Sequence, residues 1–300
     1  MFAELLRALI YGIVEGITEW LPVSSTGHLI LLGELPALAL GEGLAPSLRD
    51  EFLEMFDVVI QLGAILAVAV RFFDRLFPFL RIKNIRENRP ACRAALLLWA
   101  KIAVASLPAA AVGTVIDSLL EKATGRDIDG WLYTPAVVAA ALVIYGVLFI
   151  VIERIRRGKA PRVTDTDSIT LREALTIGIF QALAIIPGTS RSGSTVLGAC
   201  CLGVSRPVAA EFSFFMALPA MLGAGTLKCL GFVKYISASG DVLPAVSLAA
   251  LAVAFITAFA VSLAVIGFLT DFVKKHSFSA FGVYRIILGI AVILYFGIRK

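Results

Sequence analysis

Six stretches of the chain, near residues 52–73, 95–116, 131–152, 213–233, 244–270 and 281–298, are apolar for long enough to cross a bilayer, which takes about 20 residues of helix. A soluble domain could not fold around them. Hydrophobic residues fill 59% of the 300 positions and charged ones only 16%, whereas a water-soluble chain of this size must turn more polar surface outward. The expected fold is an all-α polytopic membrane protein, organised as a single integral membrane domain.

Charge is concentrated between the apolar runs. Residues 71–93 and 153–162 are rich in Arg and Lys, with Lys274 and Lys275 further on, and basic loops beside spans mark the cytoplasmic side. The acidic stretch 117–130 and Asp241 fall on the other side. No basic face or stripe tracks a nucleic-acid backbone, so nucleic acid is not an expected partner. Cys92, Cys200, Cys201 and Cys229 show no metal-binding spacing, and an adjacent pair is badly placed for a disulfide. They read as small packing residues. Glu4, Arg7, Glu15 and Glu19 interrupt any signal-peptide core, so Met1 is expected to open the mature chain.

Two further segments, 2–35 and 171–204, are apolar but broken midway by Pro, Gly and Ser. Each reads as helix, break and short helix, the pattern of a re-entrant hairpin rather than a span. They also resemble each other. ALIYGIVEGITEWLPVSSTGHLIL from Ala8 and ALTIGIFQALAIIPGTSRSGSTVLG from Ala174 both start A-L-x-x-G-I and set Glu15 and Gln181 alike. Both then break, at Pro22 and Pro187, into a Ser/Thr/Gly tract, with a one-residue slip before the proline. The economical reading is an internal repeat of about 1–155 and 170–300. Three spans follow each broken segment, so the copies enter the membrane from opposite faces, as in inverted-topology repeats. The first hairpin is then expected to open to the outside and the second to the cytoplasm.

Ionisable groups within hydrocarbon are costly and mark function by default. Glu15 and Glu19, four residues apart, share a helix face. Two carboxyls so close are not both anionic unaided. Either one holds a proton and serves as acid or base, or a divalent cation, Mg²⁺ or Ca²⁺, lies between them. The plainer alternative is a pair of protonated structural glutamates. After Pro22, the residues Ser24, Ser25, Thr26 and Gly27 stand where a short helix begins, a place whose free N–H groups and hydroxyls bind anions. His28 follows three residues past Ser25; a capping motif with a packing histidine is the alternative there.

In the second tract Arg191 is ringed by Thr189, Ser190, Ser192, Ser194 and Thr195. Gly188 and Gly193 let the backbone approach a ligand closely. An arginine among hydroxyls at a helix start suits phosphate, or else pairs with Glu15 or Glu19. The two are compatible, since an arginine that holds the site together can release to phosphate. Together the tracts offer a cradle for two phosphoryl groups, a cation, a carboxylate pair and a hydroxyl or imidazole nucleophile. That is a phosphoryl-transfer constellation. Asp57, Gln61, Gln181 and Glu211 read as supporting groups around it, or as plain helix–helix hydrogen bonders.

EGITEWLPVSSTGH (15–28) and PGTSRSG (187–193) resemble the two signature motifs of the undecaprenyl-diphosphatase family, bacterial membrane phosphatases linked to bacitracin resistance. The resemblance extends along essentially the whole chain, through FDVVIQLGAILAV from Phe56 and AAEFSFFMALPAML from Ala209. It implies a hydrolase of the bacterial cytoplasmic membrane that converts undecaprenyl diphosphate to undecaprenyl phosphate with a divalent cation. It also implies an inverted repeat with two re-entrant elements. The family's essential positions fall on Glu15, Glu19, Ser25, His28 and Arg191, with Ser24, Thr26 and Ser190 around them. The expected partners are a polyprenyl diphosphate lipid and membrane lipid, and small-residue faces of the GxxxG kind would suit a homodimer. In the expected chemistry, at a site open to the outer face, Ser25 attacks the terminal phosphorus. Arg191 and backbone amides hold the diphosphate, while a glutamate or His28 handles protons. Attack by His28 or by water is the alternative.

A lipid-phosphate flippase is the competing reading, because inverted repeats of broken helices also build secondary transporters. Ser25 near His28 favours hydrolysis, since binding alone needs no nucleophile and proton carrier together.

Overall fold

The computed structural model describes residues 1–35, 38–81, 89–124 and 132–298. In chain order its helices are α1 (Phe2–Thr18), α2 (Ser25–Gly33), α3 (Pro46–Arg71), α4 (Phe73–Leu76), α5 (Pro78–Arg81) and α6 (Arg89–Thr124). There follow α7 (Pro135–Arg156), α8 (Leu171–Ala182), α9 (Arg191–Cys201), α10 (Arg206–Ser239), α11 (Ala245–Lys275) and α12 (Ser279–Ile298). Among the described residues six helices, α3, α6, α7, α10, α11 and α12, are long and apolar enough to cross a membrane. The protein is an all-α polytopic membrane protein.

Helix ends differ from expectation where local chemistry outlasts the apolar run. α6 continues past 116 to Thr124 because DSLLEKAT is rich in strong helix formers. The first part of the expected acidic loop therefore lengthens the helix. The rest of that loop and the expected span start at Trp131 lie outside the described residues. The third span opens instead at Pro135, just after Thr134, whose Oγ1 accepts from Val137 N at 3.3 Å. A proline in the first turn loses no helical hydrogen bond there.

Each broken segment returns to the end of the molecule at which it set out. For α1–α2, Gly41 N donates to Glu4 Oε1 at 2.7 Å and Arg7 Nη1 to Ala39 O at 2.7 Å. For α8–α9, Arg162 N donates to Gly203 O at 2.8 Å. Arg162 also ion-pairs with Glu173, which completes a capping box with Thr170 at the start of α8.

The one-residue slip expected between the two segments is absent. Ser24 and Ser190 are the N-caps of α2 and α9, the two non-glycine residues with positive φ (73° and 69°) among those described. An offset of 166 residues relates these caps, and also Gly12 to Gly178 and Glu15 to Gln181. Only the proline moves, Pro22 standing opposite Gly188 within an unbroken register. The packing follows the same exchange. α1 lies on α11 as α8 lies on α6, and α3 on α11 as α10 on α6, while the α3–α10 and α7–α12 pairs each map onto themselves. The close approaches match as well: a Cβ at Gly12 would stand 2.6 Å from Ala254 O, and one at Gly178 would press on Ala105 O. A buried core that includes Phe149, Phe212, Phe214, Phe215 and Ile102 joins α6, α7 and α10, and Trp20 of the first break belongs to it.

Candidate active site

The breaks expose backbone carbonyls that no helix satisfies, and buried carbonyls need partners. One side chain supplies them. Arg285, on α12 and 0% exposed, donates from Nη1 to Pro22 O at 3.2 Å, and from Nη2 to Gly188 O at 2.7 Å and Thr189 O at 2.8 Å. Its guanidinium lies 5.5 Å from the centre of the Tyr145 ring. Ser192 adds a second link, its Oγ donating to Glu19 O at 2.9 Å and Leu21 O at 3.3 Å. The N-termini of α2 and α9 are thereby held at one place.

At that place Glu19, the C-cap of α1, holds a residue of each segment. Its Oε2 accepts from Ser25 Oγ at 2.9 Å, and its Oε1 from Arg191 Nη2 at 3.0 Å and Nε at 3.4 Å. The ion pair expected as one reading of Arg191 thus exists, with Glu19 and not Glu15. Arg191 Nη1 also donates to Ser213 O at 2.8 Å, and its guanidinium lies 5.9 Å from the centre of the Trp20 ring. Glu19 is 7% and Ser25 8% exposed, so low-dielectric surroundings strengthen these contacts.

The capping serines shape the two helix starts. Ser24 Oγ accepts from Gly27 N at 3.3 Å and Ser190 Oγ from Gly193 N at 3.1 Å. Ser190 and Ser192 hydroxyls meet at 3.2 Å. Thr195 Oγ1 reaches back to Arg191 O at 3.0 Å and across to Ser213 Oγ at 2.7 Å. Ser194 turns away, to Phe180 O. Thr26 is half-buried beside Ser25.

Glu15 lies deeper on α1, at 0% exposure, and neither carboxyl oxygen has a hydrogen-bond partner among the described residues. Both amide atoms of Gln181, its match on α8, and the Thr189 hydroxyl are likewise without one. A buried carboxyl in that state either carries a proton or holds a cation, because the bare anion is too costly. Among the described residues His28 makes no hydrogen bond to Ser25. Its Nδ1 donates to Ser24 O at 2.7 Å, which fixes the neutral ring's Nε2 as the acceptor from Tyr284 OH at 2.6 Å.

The supporting residues divide. Asp57 lines a cavity of about 280 Å³ with Tyr11, one turn before Glu15 on α1. Gln61 follows one turn later on α3, with no side-chain bond to the cluster among the described residues. Glu211 lies in a different cluster, paired with Arg75 and accepting from Thr166 Oγ1 at 2.6 Å. Its expected place beside the site is filled instead by Ser213, two residues on.

Sequence reasoning missed Arg285, Tyr284 and Ser213. An arginine inside an apolar run, in VYRIILG, was the available signal, since an intramembrane cation is a functional candidate wherever it occurs.

A family model described as bacitracin resistance protein BacA matches residues 8–291. An undecaprenyl-diphosphatase of Streptococcus mutans is 47% identical over 300 residues, covering 100% of this chain and 98% of the relative. One from Enterococcus faecalis is 46% identical over 293 residues, 98% of this chain and 97% of its own. An undecaprenyl-diphosphatase 1 of Clostridioides difficile is 46% identical over 297 residues, at 98% and 96% coverage. With the match running from the first broken helix pair into the last span, this chain belongs to the bacitracin resistance protein BacA family.

Proposed function

We infer that this protein is a membrane phosphatase that hydrolyses undecaprenyl diphosphate to undecaprenyl phosphate and inorganic phosphate, recycling the lipid carrier of cell-wall polysaccharide synthesis. The observation that carries the mechanism is the Ser25 hydroxyl 2.9 Å from Glu19 Oε2, with Arg191 on the other carboxylate oxygen. Arg191 and the first-turn amides of α2 and α9 bind the diphosphate. Ser25 Oγ attacks the terminal phosphorus; the new O–P bond forms as the bond to the bridging oxygen breaks. The lipid monophosphate leaves, and Glu19 takes the hydroxyl proton. Water then cleaves the phosphoserine, inorganic phosphate departs, and the proton returns to Ser25. Both ring nitrogens of His28 are engaged by Ser24 and Tyr284, which leaves Glu19 as the proton acceptor in reach of Ser25.

A divalent cation suits the donors present. Glu15 offers two carboxyl oxygens without a protein partner, and Glu19 Oε1 becomes available once Arg191 turns to phosphate. Among the described residues no group of three or more His, Cys, Asp or Glu is arranged for a metal, so diphosphate oxygens would complete the shell, as hard cations favour. When bound, the ion would neutralise charge on the diphosphate.

The basic end of the molecule faces the cytoplasm by the positive-inside rule. On that basis the two halves form an inverted-topology repeat in the bacterial cytoplasmic membrane, with α1–α2 and α8–α9 as re-entrant hairpins and the site open to the outer face. The test is phosphate release from a long-chain prenyl diphosphate by purified protein in neutral detergent, with and without chelator. Ser25→Ala and Arg191→Ala should each lower the rate by about 10³-fold. Ser25→Ala activity above about a tenth of wild type would remove serine from the attack.

A further inference from the structure

A groove of about 720 Å³ opens at the basic end of the molecule, between the C-terminal ends of α7 and α11 and the N-terminal ends of α10 and α12. It shares no residue with the site described above. Arg154, Arg156, Arg157, Lys159, Arg206 and Lys274 line it against a single carboxylate, Glu153. Two of these cations are neutralised. Arg206 meets Glu153 bidentately, Nε to Oε1 at 2.8 Å and Nη2 to Oε2 at 2.5 Å, and Lys274 pairs with Asp271 at 2.8 Å. Glu153 Oε1 also accepts from Phe278 N at 3.0 Å. Arg154, Arg156, Arg157 and Lys159 have no acidic partner among the described residues.

Arg154, Arg157 and Lys159 are exposed at the mouth of the groove, whereas the fourth cation is held against the backbone. Arg156 is half-buried, its Nη2 only 2.6 Å from where a Cβ at Gly203 would stand, and Gly203 has φ +83°. The backbone there is shaped to admit the guanidinium. Ser205 and Ser279, at the starts of α10 and α12, bring hydroxyls to the groove, and neither hydroxyl has a partner among the described residues. The floor is apolar, of Ile152, Cys200, Val204 and Val273.

We propose that this groove binds a phosphate-bearing anion. Guanidinium groups match phosphate oxygens in geometry and charge, and basic pockets between spans hold acidic head groups. The apolar floor extends the fit to the glycerol and first methylenes of an acidic phospholipid, while free inorganic phosphate would engage the cations alone.

The test measures equilibrium binding to the full-length protein in neutral detergent. The probes are inorganic phosphate, a short-chain phosphatidylglycerol, and short-chain phosphatidylcholine as the zwitterionic control of zero net charge. Arg154→Gln/Arg157→Gln/Lys159→Gln removes three exposed cations without touching the Glu153–Arg206 pair. Arg93→Gln/Lys234→Gln removes exposed charge outside the groove. Phosphatidylglycerol should bind wild type and the control variant alike, and the groove variant roughly a hundredfold more weakly. If inorganic phosphate shows that same pattern and phosphatidylglycerol is no tighter, the ligand is a soluble phosphate and the proposal stands with that source. If the groove variant binds both anions as wild type does, or if neither anion binds wild type better than phosphatidylcholine does, the proposal is overturned.

Discussion

Replacing Arg285 by Met keeps a long unbranched side chain but leaves three carbonyls without their donor: Pro22 on one break, Gly188 and Thr189 on the other. Bonds from a charged donor contribute about 1.5–3 kcal/mol each, yet the three do not simply add, because the substitution also removes a desolvated cation. The net cost should be about 3–5 kcal/mol, as for breaking one side of a buried charged contact. At ~2–4 °C per kcal/mol the melting point falls by roughly 10 °C. Function should suffer beyond stability, because Arg285 holds together the two segments that carry Ser25 and Arg191. A displacement of the order of 1 Å costs about 10²-fold in rate. Arg285→Lys should fall between, since one ammonium cannot stand where Nη1 and Nη2 stand at once. The assay pairs a thermal melt in detergent with kcat/KM for prenyl diphosphate hydrolysis measured well below the variant's melting point. If Arg285→Met melts within about 2 °C of wild type and keeps its kcat/KM, as an ordinary surface substitution would, then Arg285 does not join the breaks and this reasoning fails.

Other substitutions test other links. Gly178→Ala drives a methyl into the Ala105 carbonyl and should cost more than the ~1–3 kcal/mol of ordinary overpacking; Gly223→Ala, with nothing among the described residues within 4 Å, should melt no lower than wild type. Tyr284→Phe should leave hydrolysis within a few-fold, and His28→Ala should lower kcat by about tenfold through the Ser24 carbonyl it braces, whereas a loss near 10⁴-fold would move the proton-handling or nucleophile role to His28. Glu15→Gln should fold normally, because Gln181 sits unpartnered at the matching place on α8. Its half-saturating Mg²⁺ or Ca²⁺ concentration should rise by about 10–100-fold, and an unchanged metal titration would take Glu15 out of the ligand set.

The spans were legible because length and hydropathy alone decide them, and the reactive cluster was legible because polarity is conspicuous in an apolar segment. Glu19, Ser25 and Arg191 were each visible in that way. Their partnership was not, since spacing placed Glu15 beside Glu19 and His28 near Ser25 with equal force. Three-dimensional contacts then set Glu19 between Ser25 and Arg191. Arg285 escaped because its partners are backbone carbonyls, which leave no trace in residue types. Glu211 takes the plainer of its two readings, an inter-helix polar contact: it is two residues from Ser213, but side chains two apart on a helix face different ways, and Glu211 meets Arg75.

The common register of the two broken segments explains how one scaffold yields an asymmetric site. At the offset that superposes the capping serines, Ser25 corresponds to Arg191, Glu15 to Gln181 and Glu19 to Ile185. The first position after the cap is thus a hydroxyl in one half and a cation in the other, and each points at the same Glu19. On the proposed mechanism, two identical halves would bring either two hydroxyls or two cations there, giving a site that attacks without holding phosphate or holds it without attacking. On that mechanism the difference at one matched position supplies both functions. With Ile185 where the first half has Glu19, Arg191 has a single carboxylate partner, Glu19, among the described residues. The matched glutamine at 181 keeps the volume of Glu15 without its charge, so the acid pair, and any cation it holds, stays in the half that carries Ser25.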